Sequence, residues 1–320
     1  MTNKEPPKIE AQRTFPPLDE SLYDLRPQDA AFYKKLTGIE DDAALKQHIL
    51  DVQAKAYKVA PYGCIYLFFF TRYFIFTFVL SLYTNDELFR RKLSGLPAYQ
   101  QVLRLGRECK NPIFLDIGCC FGNDIREAVL DGFPVARTIG MDLHQELWNL
   151  GHDLFKSSPE TFPAHFVGGD AFDPEILAVA PPASMQTARA PTPDLSNLTS
   201  LNPLHGCVSA IHATAFFHLF KEDQQLHMAR ALAGLLSAEP GSVILGAHTG
   251  AQEKGVVNQV YRGVEIDMFA HSAKSWTAMW DGEVFEKGTV KVEAQFREVH
   301  GVTMGGDERY PMLFWSVTRL

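Results

Sequence analysis

Cysteines are few and show no pairing pattern. Cys64, Cys109, Cys119, Cys120 and Cys207 are the only five in 320 residues, and none stands in a C-x-x-C pair. That argues against a disulfide framework and against a thiolate zinc site, and it points to a reducing compartment. Positive charge is not in excess either. Lys and Arg number 30 against 38 Asp and Glu, a formal net charge of −8, which removes the electrostatic footprint that most nucleic-acid binders need. No nucleic-acid partner is expected. Residues 1–20 are polar and broken by proline, without the apolar core of a signal peptide, so a cytoplasmic location is expected. No internal repeat of solenoid period is present. What remains is ordinary globular composition, 46% hydrophobic and 21% charged, in a chain long enough for one large domain or two modest ones.

Residues 1–27 offer no apolar period and read as a loosely held arm. Asp29 to Val59 then shows helical spacing, with Phe32, Leu36 and Ile39 followed, after an interruption at Gly38, by Ala44, Leu45, Ile49, Val52 and Ala56. Tyr66 to Tyr83 (YLFFFTRYFIFTFVLSLY) is almost wholly aromatic and aliphatic, with a single charge at Arg72. Three readings compete for it. A membrane span would carry Arg72 near its centre, at about 2.5 to 3.5 kcal/mol on insertion scales. A buried segment would need a large apolar partner, and the third reading is an insertion foreign to the fold.

After Gly95, strands and helices alternate, the signature of an α/β domain with a largely parallel sheet. The pattern predicts strands at Ile113–Ile117, Thr138–Met141 (ending in Asp142), His165–Gly168 (leading to Asp170), Val208–Ala213 and Val243–Ala247. Helices are expected over Asp124–Leu130, Gln145–Phe155 and Glu222–Leu236. Val290–Val299 and Leu313–Thr318 suit a C-terminal hairpin turning at Gly305 and Gly306. Residues 181–203, rich in Pro, Ser and Thr, read as a mobile surface loop.

The sharpest motif is Phe114-Leu-Asp-Ile-Gly-Cys-Cys-Phe-Gly122, an apolar strand with an acid near its end and two glycines before a helix. Gly118 and Gly122 let the backbone turn tightly and approach a ligand, while Asp116 offers a negative charge in the crevice where open sheets bind ligands. Such a charge suits a cationic ligand. A dinucleotide fold would instead show G-x-G-x-x-G around a pyrophosphate, and that pattern is absent. Asp142 and Asp170 stand at the next two strand ends, placed to accept a ribose diol and an exocyclic adenine amine. Leu143, Ala171 and Phe172 offer apolar faces to the ring. The competing reading is that Asp142 and Asp170 cap the helices that follow.

This constellation resembles the cofactor site of class I S-adenosylmethionine-dependent methyltransferases. Leu115 to Arg126, Ala210 to Phe220 and Phe269 to Trp280 resemble signatures of fungal secondary-metabolite methyltransferases of the meroterpenoid type. The resemblance implies a Rossmann-like, mostly parallel seven-stranded sheet (111–320), an N-terminal helical lid (28–110) and S-adenosylmethionine held by Asp116, Gly118, Cys119, Gly122, Asp142, Leu143, Asp170, Ala171 and Phe172. Family members run quickly from a Pro-Tyr-x-Cys-Ile segment, here Pro61 to Ile65, into Leu-Pro-x-Tyr, here Leu96 to Tyr99. This chain carries about twenty extra residues between them, near 73–92. They read as a translated intron or a membrane-facing element, and membrane contact is expected only through 66–83.

Methyl transfer is an in-line displacement, so the protein mainly positions two reactants and excludes water. A carboxylate acceptor is already ionised at neutral pH, whereas a hydroxyl needs a base, for which histidine is the natural choice. His218, past the fourth strand, is the first candidate and His271 the second. His212 reads as a core residue, His248 stands at the end of the fifth strand, and His271 also lies where Ser272 would cap a helix. Trp276 and Trp280, four apart on one helical face, read either as walls of an apolar substrate pocket or as core. The histidines lack carboxylate or thiolate partners at ligand spacing, so no metal is expected. The expected activity is methylation of an oxygen, a carboxylate by preference, on a small apolar natural product. The small-molecule acceptor is the expected partner, and the oligomeric state is left open, a homodimer included. The alternatives are a hydroxyl or phenol methyltransferase using a histidine base, and a cofactor-binding protein that does not methylate.

Overall fold

The computed structural model describes residues 17–20, 23, 25, 27–61, 65, 93–185, 193–261, 264–303 and 306–320. The apolar stretch 66–83 and the extra segment near 73–92 lie outside the described residues, as do Cys64 and 186–192 of the proline-rich loop. Among the described residues no helix is long and apolar enough to cross a membrane.

Among the described residues, seven strands form one sheet. In chain order these are β1 (Phe114–Ile117), β2 (Thr138–Asp142), β3 (His165–Gly168), β4 (Ala210–His212), β5 (Val243–Thr249), β8 (Val290–Thr303) and β9 (Gly306–Arg319). The spatial order is β3-β2-β1-β4-β5-β9-β8. The first five run parallel, and β9 returns antiparallel against β5, with Gly246 opposite Trp315. The order reverses between β1 and β4, which opens the crevice where doubly wound sheets take ligands. The class I architecture expected from the resemblance is therefore present.

Period-two alternation divides the core into two layers. From the central strands, Ile113, Leu115, Ile117, Ile211 and Ile244 meet α6 (Glu222–Leu235) and α7 (Ala273–Trp280) on one face. Phe114, Ala210, Val243 and Leu245 face the other way, onto α3 (Tyr99–Glu108) and α4 (Asn123–Leu130). A third cluster joins α1 (Pro27–Thr37) and α2 (Asp42–Val59) to α5 (Gln145–Phe155), with Ile49, Phe121, Leu147 and Leu154 at its centre. Asp41 caps α2 by accepting from Ala44 N at 2.8 Å. The N-terminal layer is thus anchored on the helix that follows β2, and it touches Phe121 of the glycine motif.

Several boundaries differ from the expected ones. The fourth strand is short because Val208 makes only an isolated bridge to Leu236. The C-terminal hairpin is longer than expected, since β8 and β9 pair along all of Val290–Thr303. The antiparallel hairpin of β6 (Gly255–Tyr261) and β7 (Val264–Ala270) was not foreseen. The proline-rich loop does not lie free on the surface in its described part, because Leu195 and Leu201 are buried in the main core and Leu201 N donates to Ile176 O at 2.8 Å. Ile49 carries the prediction for the N-terminal layer. Ile49→Ala should destabilise it by about 2–5 kcal/mol, seen as lost hydrogen-exchange protection across α2; unchanged protection would refute the anchoring.

Candidate active site

The glycine motif closes against β2. Gly118 N and Cys119 N both donate to Met141 O, at 2.8 and 3.1 Å. Gly118 and Gly122 adopt left-handed backbone, φ 71° and 70°. A Cβ at Gly118 would come within 3.1 Å of the Phe216 ring. At Gly122 the reason for glycine differs from the expected ligand approach: a Cβ there would lie 2.6 Å from the Trp148 ring and 2.9 Å from Arg126 Nη1. Side chains, not a ligand, fill that space. Cys119 contributes backbone only, since its side chain is buried beside Ile125 and Trp148 and burial pushes its thiol well up.

Cys120 is the strained member, left-handed at φ 50° without being glycine, a conformation that costs about 1–2 kcal/mol. The carboxylate of Asp142 holds it there, with Oδ2 accepting from Cys120 N at 2.8 Å while Oδ1 accepts from His144 N at 3.0 Å. Asp142 does not cap a helix, because the N-cap of α5 is His144 and no side chain bonds there. Burial raises the Asp142 pKa above the ordinary carboxylate range, opposed by those two N–H donors. Asp170 is exposed and accepts from Phe172 N at 2.9 Å; turns rather than a helix follow it, so capping fails there too. Leu143 is 52% exposed and Ala171 is buried beside the acids. Phe172 packs edge-on against Phe220 at 4.9 Å and stacks on His227 at 5.5 Å, so part of its face is already covered.

Asp116 is buried, and its Oδ1 accepts from His212 Nδ1 at 2.8 Å. His212 Nε2 in turn meets Thr214 Oγ1 at 2.7 Å. Spacing gave no cluster of acids and histidines, but the fold makes one: ligand atoms of Asp116, Asp124 and His212 lie within 4.8 Å of one another. Asp124 was not foreseen, and its Oδ1 is buried with no hydrogen-bond partner among the described residues. With Asp116 and His212 already bonded to each other, a buried acid in want of a donor fits a ligand cation. The residues therefore fit S-adenosylmethionine. Asp116 and Asp124 could hold its cationic amino-acid end, Asp142 the ribose diol and Asp170 the adenine amine, with Leu143 and Ala171 against the ring.

Arg126, at the end of the Leu115–Arg126 motif, has a role that the motif does not reveal. It is buried, donates from Nη1 to Phe121 O (2.9 Å) and Gly122 O (3.3 Å), and bonds Ser157 Oγ at 3.1 Å. Phe155 and Phe162 stand 4.5 and 4.3 Å from its guanidinium carbon. Burial lowers its pKa to about 9. It ties down the loop from behind, and nothing in its spacing announces a buried cation.

The residues expected on the acceptor side begin where β4 ends. Ala215 (φ 56°) turns the chain into Phe216 and a short 3-10 turn, Phe217–Leu219, which carries half-buried His218. His271 precedes α7, where Ser272 caps by accepting from Ser275 N at 3.2 Å, as the helix-start reading required. His271 Nδ1 lies 2.9 Å from Ser275 Oγ, and burial, then the nearby Lys254 charge, push its pKa down to about 4. His248 Nδ1 accepts from Trp315 Nε1 at 3.0 Å. Burial, then nearby His218 and His271, keep its pKa well below the ordinary histidine value. Trp276 and Trp280 are fully buried, with ring centroids 5.8 Å apart.

Asp142→Ala should weaken S-adenosylmethionine binding by roughly 10- to 100-fold, more than Asp170→Ala, because only Asp142 also holds Cys120. Calorimetric titration of folded variants checks this, and parental affinity in both would remove the assignment. Two ribose hydroxyls need the ionised acid. The parent's affinity should therefore fall as pH drops through the raised Asp142 pKa, starting at a higher pH than an exposed carboxylate would impose.

Residues 18–71 match the family model described as the meroterpenoid methyltransferase N-terminal domain. The chain is 31% identical over 251 residues to O-methyltransferase phiE of Fungal sp., covering 78% of this chain and 69% of that one. It is 27% identical over 274 residues to the asnovolin E/chermesin D methyltransferase nvfJ of Aspergillus novofumigatus, covering 85% and 82%. Among solved structures, the DhpI–SAH complex superposes with a TM-score of 0.39 at 12% identity, covering 86% of this chain and 96% of that one. An enzyme that converts a disulfide bond into a thioacetal group in echinomycin biosynthesis does so at 0.42 and 16%, covering 76% and 91%. By its identity to phiE over more than two thirds of both chains, together with the sheet order and the acids at the strand ends, the chain belongs to the meroterpenoid-type methyltransferases of fungal secondary metabolism and is an S-adenosylmethionine-dependent methyltransferase.

Proposed function

We propose that this enzyme methylates a carboxylate oxygen of a small, largely apolar natural product. The name of phiE specifies transfer to oxygen, and that of nvfJ specifies the natural products asnovolin E and chermesin D. S-adenosylmethionine supplies, when bound, a methyl group activated on a sulfonium centre. The task left to the protein is to hold the acceptor in line with it and keep water out.

One observation carries the choice of carboxylate. Because His248 Nδ1 accepts the Trp315 N–H, the proton of the neutral imidazole resides on Nε2, which can donate and cannot take a proton. Both nitrogens of His212 are likewise engaged, by Asp116 and Thr214. A hydroxyl acceptor would find no base in either residue. A carboxylate needs none, being ionised at neutral pH. Cys119, buried and shifted upward, offers no thiolate either. This reading takes the small acceptor as the partner and the cytoplasm as the place of action.

His218, half-buried on the turn after β4, is the first histidine that a hydroxyl mechanism would use, and His271, whose Nε2 has no hydrogen-bond partner among the described residues, is the second. Incubation with labelled donor and a panel of terpenoid and polyketide acids should yield methyl esters. His218→Ala should keep most of that rate. A loss of about 10²- to 10⁴-fold, the size of a general-base contribution, with only phenols or alcohols alkylated by the parent, would replace the carboxylate reading with the hydroxyl one.

A further inference from the structure

Beside the 3-10 turn lies a cluster of rings whose polar atoms lack partners. Trp276 is its hub, with ring centroids 4.8 Å from His248, 5.3 Å from His271, 5.0 Å from Phe217 and 5.8 Å from Trp280. Among the described residues, Trp276 Nε1, Trp280 Nε1, His248 Nε2 and His271 Nε2 are all buried with no hydrogen-bond partner. Native interiors rarely tolerate one such atom, and four around a single ring want an explanation. Two are indole nitrogens, which can only donate. A third, His248 Nε2, is fixed as a donor by Trp315 on the other side of its ring. At least three of the four therefore call for an acceptor.

We propose that His248 Nε2 and Trp276 Nε1, with Trp280 alongside, bind the carboxylate of the methyl acceptor. This rests on the carboxylate reading above and names the residues that recognise the group. A carboxylate brings two oxygens and only accepts, whereas a hydroxyl brings one oxygen and also a proton that donor N–H groups cannot receive. The surrounding Phe217 and Trp315 rings make each such bond stronger than it would be in water. The cluster also lies close to the glycine motif. Phe217 touches Phe216 at 5.9 Å between centroids, and Phe216 borders Gly118.

The chemistry balances without a base. An oxygen lone pair of the acid forms the O–CH3 bond, the C–S bonding pair returns to sulfur, and the products are a neutral ester and S-adenosylhomocysteine with no proton released. Esterification removes the charge that the donors hold, so the product binds more weakly than the substrate.

The test uses the full chain saturated with S-adenosylhomocysteine and labelled with 15N on its indoles, titrated with a terpenoid acid, farnesoic acid, and with farnesol as its uncharged counterpart. Trp276→Phe assigns the Trp276 indole signal in the parent spectrum. The acid should move that signal downfield while farnesol leaves it in place. Trp276→Phe should weaken the acid about 10- to 100-fold with unchanged affinity for S-adenosylhomocysteine and farnesol. No indole response to the acid, or equal acid affinity in the variant, overturns the seat. Should acids be esterified while the indole signals stay still, the seat alone is wrong and the carboxylate reading stands. Should farnesol be methylated while the acid is neither bound nor esterified, the carboxylate reading falls and the seat with it.

Discussion

The hydrogen bond between Asp116 and His212 spans the one place in the sheet where the strand order reverses. Both halves of the site depend on it. On the β1 side, the chain leaves Asp116 through Gly118 into the loop that Asp142 restrains. On the β4 side, it leaves His212 through Thr214 and Ala215 to Phe216 and Phe217. Asp116 Oδ1 and both ring nitrogens of His212 are thereby paired, as buried polar atoms generally are. They also fix the separation of the two loops that must bring donor and acceptor together.

The loop on the β1 side is held by opposing demands. Left-handed backbone at Cys120 is unfavourable, and a half-buried carboxylate at Asp142 is unfavourable, but the hydrogen bond between them satisfies the N–H of one and solvates the charge of the other. Arg126 restrains the same loop through Phe121 O and Gly122 O, with no carboxylate bonded to its own charge among the described residues. The loop is thus shaped before any ligand arrives, which spares part of the ordering cost of binding.

Much of this was legible in the sequence because it rests on local pattern. The apolar runs gave β1, β2, β3 and β5 nearly to the residue, and Asp116, Asp142 and Asp170 stand at or just beyond the carboxyl ends of the first three, as expected. What stayed hidden depends on contacts between distant residues. Nothing in the spacing says that Gly122 yields to Trp148, that Asp124 joins Asp116 and His212, or that Trp315 decides which nitrogen of His248 carries the proton. The β6–β7 hairpin escaped because Gly255–Tyr261 alternates poorly and no Asn-Gly or Asp-Gly turn follows it, although Val264-Glu-Ile-Asp-Met268 does alternate. The C-terminal hairpin was visible because Leu313 to Thr318 and Val290 to Val299 are strongly apolar or alternating, yet its full reach required seeing the two strands paired.

That unforeseen hairpin departs after β5 and leads into α7 through a closed base, where Ala251 N donates to His271 O at 3.0 Å and Gln225 Nε2 donates to Phe269 O at 3.0 Å. A clamp of this kind insulates what lies below it from what lies above. The distal end of the ribbon can gain, lose or exchange residues over evolutionary time while His271 and the rings around Trp276 stay where they are.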